Sequence, residues 1–249
     1  MRKTIDIHTA DGVCHAVLFT PEGSGPWPGA LLYMDAIGIR PAIHAIAEKV
    51  AARGYAVLVP DLYYRHAPYT LNAATVFQDP VERAKLGPMR EPLETPDVLA
   101  RDIATYVNAL TSLGEARAPY AAFGYCMGGR IALQSAGNHG DVIRGALSFH
   151  GSGLANAKPD SPHLKTKSMK GRIYVGVAGI DRHFDAAEEG RLAQALREGD
   201  VDHMIETYPG AQHGFSIEGN LVYDAVAAAH HFERIYEVLN YIRNTARAS

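Results

Sequence analysis

From residue 28 onward, apolar residues along this chain alternate between dense runs and helical stripes. Before that point, residues 4–21 alternate apolar and polar side chains on either side of Asp11 and Gly12. That pattern predicts a β-hairpin closed by an Asp-Gly turn. Residues 28–34, 55–60, 120–126, 145–151 and 171–179 are dense apolar runs of strand length, suited to strands buried on both faces of a parallel sheet. Residues 41–54, 95–110, 128–137, 186–199 and 225–244 carry apolar positions at helical spacing. The helix over 95–110 has a start signal, with Thr95 as N-cap and Pro96 at its first position. Residues 203–210 read as a further strand between the last two helices. Strands and helices taking turns predict an α/β architecture, with a mainly parallel central sheet and helices on both faces. In such sheets, functional side chains gather just beyond the carboxyl ends of the strands.

Composition narrows the function classes. No repeat, low-complexity tract or long linker interrupts the 249 residues, so one domain over 1–249 is expected. A net charge of −3 provides no basic field for nucleic acid. The apolar runs fall far short of a membrane span, and the opening MRKTIDIHTADG lacks the apolar core of a signal peptide. The two cysteines, Cys14 and Cys126, read as reduced thiols of a cytoplasmic protein. Cys14 is expected to be a small buried hydrophobe. No His, Cys or acidic residues show the spacing of a zinc site, so no metal and no cofactor are expected. A monomer or weak homodimer fits a chain without a heptad or exposed-strand signal.

The strongest chemical signal is Phe123-Gly124-Tyr125-Cys126-Met127-Gly128-Gly129. It fits a strand–nucleophile–helix elbow, G-x-nucleophile-x-G, with cysteine at the centre. Gly124 and Gly128 leave room where strand and helix backbones converge. The thiol then lies over a helix N-terminus, which favours thiolate, and the Met127 N–H is placed for an oxyanion. An elbow of this kind needs an acid and then a histidine further along the chain. The strand over 171–179 runs directly into Ile180-Asp181, and His213 lies in a glycine-flanked loop after the strand over 203–210. Cys126, Asp181 and His213 thus fall in the required order, as nucleophile, orienting acid and base. Asp185 competes with Asp181, which could instead cap a helix. His150 is a candidate to line the pocket, while His183 reads as a solvated loop residue or, failing that, a pocket-lining one.

These stretches resemble the dienelactone hydrolase (carboxymethylenebutenolidase) family of α/β-hydrolases. The resemblance rests on Pro60-Asp61-Leu62-Tyr63, the elbow GYCMGG, the GIDRHF loop and the GAQHGF loop, which together span most of the chain. It implies an α/β-hydrolase fold, a Cys-His-Asp triad, no metal, and a small ester or enol-lactone hydrolysed through an acyl-enzyme. Asp35-Ala36-Ile37-Gly38 resembles the family's acid-containing loop. By that likeness Asp35 modulates the thiol and the Ala36 N–H completes the oxyanion hole. The family has glutamate there, and aspartate is one methylene shorter. The family's substrate-holding arginine shortly after the histidine is also missing, since the stretch reads His213-Gly214-Phe215-Ser216-Ile217. Arg83 and Lys85 are the candidates to replace it. Losing a bidentate clamp weakens selection for an anionic substrate, so a broader or different ester is expected. Tyr63, Tyr64 and Arg65 follow Pro60-Asp61-Leu62 and are expected either to border the pocket or to form a surface loop. Residues 70–94, rich in proline and charge, read as a lid or as an ordinary excursion.

Three other functions compete. A thioesterase or broad carboxylesterase would use the same residues. A catalytically silent small-molecule binder would have no need of all three. A thiol redox role lacks a second cysteine close in sequence to resolve an oxidised Cys126.

Overall fold

The computed structural model describes residues 1–248. Its centre is an eight-stranded sheet in the order β1-β2-β4-β3-β5-β6-β7-β8. These strands are β1 (Arg2–Thr9), β2 (Gly12–Phe19), β3 (Trp27–Tyr33), β4 (Ala56–Val59), β5 (Ala116–Tyr125), β6 (Ile143–Phe149), β7 (Arg172–Ile180) and β8 (His203–Gln212). The first three neighbours pair antiparallel, and every pair from β4/β3 to β7/β8 is parallel. The helices are α1 (Pro41–Ala51), α2 (Pro80–Glu94), α3 (Pro96–Ser112), α4 (Met127–Asn138), α5 (Ala186–Glu198) and α6 (Ala225–Ala248).

Burial follows the hydropathy pattern. All four residues of β4 and the last six of β5 are buried, because helices cover both faces of the central strands. β8 forms one edge of the sheet and is largely exposed or half-buried, matching its mixed sequence. α4 is buried along almost its whole length, so its stripe of small and apolar residues packs on several sides.

Two local expectations differ from the structure. The hairpin turn is formed by Ala10 and Asp11, and Gly12 is already paired with Thr9 at the start of β2. Asp11 faces outward and binds Arg65 and Arg101. Thr95 precedes α3, but its hydroxyl donates back to the Glu91 carbonyl (3.0 Å) instead of capping the helix. The unplaced stretch 70–94 contains α2, whose interior Pro88 and Pro92 disguise a helix as a loop in the sequence. Asp79 caps α2, accepting from the Val81 N–H (2.7 Å).

Candidate active site

β5 ends at Tyr125, α4 begins at Met127, and Cys126 between them has φ 55° and ψ −119°. Left-handed φ at a non-glycine residue is costly and needs support from its surroundings. Here the Cys126 N–H donates to the Phe149 carbonyl (3.1 Å), and its own carbonyl accepts from Gly129 N–H (3.1 Å). The flanking glycines are required by contact. A Cβ on Gly124 would lie 2.3 Å from the Gly128 carbonyl oxygen, and one on Gly128 would lie 2.4 Å from those of Tyr33 and Met34.

Asp181 and His213 arrive from neighbouring strand ends, β7 and β8. His213 Nδ1 and Asp181 Oδ2 are 2.6 Å apart, with the carboxylate buried. Asp181 Oδ1 accepts from the His183 N–H (2.8 Å), which fixes the carboxylate's orientation. Asp185 instead caps α5 by accepting from the Glu188 N–H (2.7 Å). His213 reaches Cys126 with its side chain, and the Met127 N–H also points at the thiol. Burial alone would raise the Cys126 pKa. The His213 hydrogen bond and charge and the Met127 N–H outweigh it, and the thiol is shifted downward. Burial opposes charge on His213 too, but the bonds to Asp181 and Cys126 push its pKa up to about 10. Both shifts favour a thiolate–imidazolium pair. Cys14 is the contrast: burial and the charge of Asp61 push its thiol up to about 12.

The three residues open onto a cavity of about 790 Å³. The loop after β3 forms one wall with Asp35, Ala36 and Ile37, and α2 forms another with Arg83, Leu86 and Arg90. The Asp35 carboxylate does not bond the thiol. It is held by Arg40 through two parallel hydrogen bonds, Nη1–Oδ1 at 2.6 Å and Nη2–Oδ2 at 2.8 Å. Arg40 also donates to the Gly38 carbonyl (3.1 Å) and to Asn220 Oδ1 (3.2 Å), and Asn220 Nδ2 donates to the Gly214 carbonyl (3.0 Å). Arg40 therefore ties the loop of Ala36 to the loop of His213. Nothing in the local sequence singles out Arg40 or Asn220, because their contact spans 180 residues.

The other expected site residues separate. Arg83 lines the cavity, while the exposed Lys85 pairs with Glu82 on its own helix and is not part of the wall. Tyr63 lies behind the wall, fully buried, donating from its hydroxyl to the Ala36 carbonyl (3.0 Å). Tyr64 and Arg65 belong to a different cluster. Arg65 forks onto the buried Asp102 (2.8 and 3.0 Å), and the Tyr64 hydroxyl donates to the same carboxylate (3.2 Å). The reason is physical: a short 3-10 helix, Tyr64–His66, turns the chain back over β2 and α3, where buried Asp102 needs a cation. Sequence reading missed Arg90 and Arg182, which also line the cavity. Arg90 sits seven residues after Arg83, two helical turns along one face, a signal hidden by the prolines of α2. Its Nε is buried without a hydrogen-bond partner. Among the described residues, no group of His, Cys, Asp and Glu could hold a metal, and no helix is long and apolar enough to cross a membrane.

A mostly parallel sheet with helices on both faces, and a nucleophile-type residue on a strained strand–helix turn, define a hydrolase of the α/β-hydrolase fold. The sequence profile of the dienelactone hydrolase family matches residues 14–243, and the chain belongs to that family. The protein named "Putative carboxymethylenebutenolidase" from Synechocystis sp. is 26% identical over 224 residues, covering 89% of both chains. Two crystal structures share the fold. A dienelactone hydrolase-like promiscuous phosphotriesterase from metagenomic libraries gives a TM-score of 0.81 at 20% identity, over 97% of this chain and 98% of that one. Dienelactone hydrolase from Anabaena variabilis gives 0.69 at 17% identity, with the same coverage of 97% and 98%.

Proposed function

We propose that this hydrolase cleaves a small carboxylic ester or lactone, with Cys126 as nucleophile, His213 as base and Asp181 as its orienting acid. The observation that carries the reading is that Cys126 and His213 open onto one cavity, with His213 Nδ1 held by the buried Asp181 carboxylate at 2.6 Å. The Cys126 thiolate attacks the carbonyl carbon, and the developing oxyanion takes N–H groups of Met127 and Ala36. The tetrahedral intermediate collapses to an acyl-cysteine, and His213 gives its Nε2 proton to the departing alkoxide. His213 then removes a proton from water, the hydroxide attacks the acyl carbon, and the thiolate leaves with the acid released. Asp181 keeps the Nδ1 proton in place throughout and stabilises the imidazolium. For a lactone, the alkoxide remains attached and the product is one hydroxy acid.

Arg83, Arg90 and Arg182 supply positive charge at the cavity wall, where a substrate carboxylate would be held in place of the missing arginine after His213. Of these, Arg90 has its Nη2 3.6 Å from Glu94, so a substrate carboxylate there would compete with that pair. The test is trapping: a slowly turned-over aryl ester should add one acyl mass at Cys126, and Cys126→Ala should abolish both adduct and turnover while keeping its circular dichroism. Turnover retained by that variant would refute the nucleophile assignment.

A further inference from the structure

Three histidine rings meet at this site, and the reaction uses only one. His150 directly follows β6, the strand beside β5, and adopts φ 38°, a left-handed conformation rare outside glycine. Its N–H donates to the Gly176 carbonyl (2.7 Å), which locks the turn onto β7. The ring is 1% exposed. It packs edge-to-face on the His213 ring, centroids 5.1 Å apart, and on the Phe215 ring at 5.4 Å. Its Nε2 lies 2.9 Å from the Ser216 hydroxyl, and its Nδ1 is buried without a partner. Ser216 lies three residues beyond His213, so this bond fastens the histidine-bearing loop to the end of β6. His183, the third ring, is 5.0 Å from His213 but sits exposed on its loop and makes no comparable tie.

We propose that His150 is a positioning residue for the thiol–imidazole pair: its ring braces His213, and its bond to Ser216 anchors the loop that carries His213. This rests on the reading of Cys126 and His213 as nucleophile and base. A strained backbone persists only where the surroundings over-determine it, and here the strain aims an imidazole at the base. Charge logic agrees with the geometry. His150 faces His213 from the loop after β8, His231 from α6 and the Tyr125 ring from β5. Burial, then the neighbouring His213 and His231, push its pKa well below the usual histidine value. A neutral brace leaves the imidazolium undisturbed, where a second cation at 5.1 Å would repel it. The thiol and His213 are faced otherwise by Asp181 and His183 from the loop after β7 and by Asp35, paired to Arg40, from the loop after β3. None of these touches the Ser216 anchor.

The experiment compares His150→Ala, His150→Phe and Ser216→Ala with the parent enzyme. It reads the pH midpoint of iodoacetamide labelling at Cys126, resolved by mass, and kcat and KM for p-nitrophenyl acetate. Loosening the base by an ångström costs up to about a hundredfold in rate, so His150→Ala should lower kcat roughly ten- to a hundredfold with little change in KM. Its labelling midpoint should rise by about one pH unit as the imidazole contact weakens. Ser216→Ala should shift both in the same direction but less, and His150→Phe, which keeps a ring, should recover part of the loss. A labelling midpoint unchanged across all three variants overturns the proposal. So does an effect confined to KM, which would make His150 a substrate contact. If His150→Ala fails to fold, the other two variants carry the same test. His213→Ala is the control for the underlying reading: a labelling midpoint unmoved in that variant would fail the thiol–imidazole pair itself, independently of His150.

Discussion

Replacing Arg40 with methionine should damage this protein more than replacing Arg40 and Asp35 together. Arg40 and Asp35 are 13% and 7% exposed at their side chains and share two short, parallel hydrogen bonds. Arg40→Met leaves the carboxylate buried and uncompensated, which typically costs about 3–5 kcal/mol. Arg40's residual exposure argues for the lower end of that range. For a chain of 249 residues, 1 kcal/mol moves the melting midpoint by roughly 2–4 °C, so a fall of roughly 6–12 °C is expected. In Arg40→Met/Asp35→Asn the buried charge is gone, and at least half of the loss should return. The same pair acts on chemistry. The Asp35 charge opposes thiolate formation at Cys126. Arg40→Met should therefore raise the pH midpoint of Cys126 alkylation, while Asp35→Asn should lower it. Thermal melts and mass-resolved alkylation of the parent, both single variants and the double variant complete the cycle. Equal stability of Arg40→Met and the double variant would refute the argument, because the cost would then not arise from a stranded carboxylate.

Other outcomes follow from separate features. Gly128→Ala should destabilise by about 3 kcal/mol or prevent folding, since its Cβ would lie 2.4 Å from two backbone oxygens; a melting midpoint within 2–3 °C of the parent would contradict the close-packed elbow. Arg90→Met should raise KM for esters bearing a carboxylate and leave neutral esters unaffected, as steady-state kinetics on matched substrates would reveal. Glu206 is held down to about 2, first by its bond to Arg234 and then, against burial, by Tyr174 and His230. A carboxyl whose folded pKa is depressed gives stability above its unfolded value near 4.5, lost as pH falls toward 2. The stability gap between parent and Glu206→Gln in urea should therefore narrow between pH 5 and pH 2, and a constant gap would exclude this linkage.

The sequence by itself determined most of the architecture. Runs such as Ala56–Val59 are apolar at every position because both faces of a central parallel strand are covered, and that pattern is legible without coordinates. It also held the local part of the site. Gly124, Cys126 and Gly128 lie within five residues, and the steric demands of one tight turn set their spacing. Asp181 and His213 were legible because a parallel sheet delivers residues to one edge in chain order. Where local signals misled, a long-range partner had won. Arg65 looks like a pocket residue next to Pro60-Asp61-Leu62, yet buried Asp102 on α3 claims it. α2 looks like a loop because Pro88 and Pro92 break its pattern, yet Leu86 and Ile37 bury one face of it over the cavity. Only the tertiary structure could tie Arg40 to Asn220, bring Arg90 to the cavity wall, or press His150 against His213. Those contacts join residues far apart in the chain. They depend on packing distances and on the need to satisfy buried charge, and neither leaves a periodic trace in the sequence.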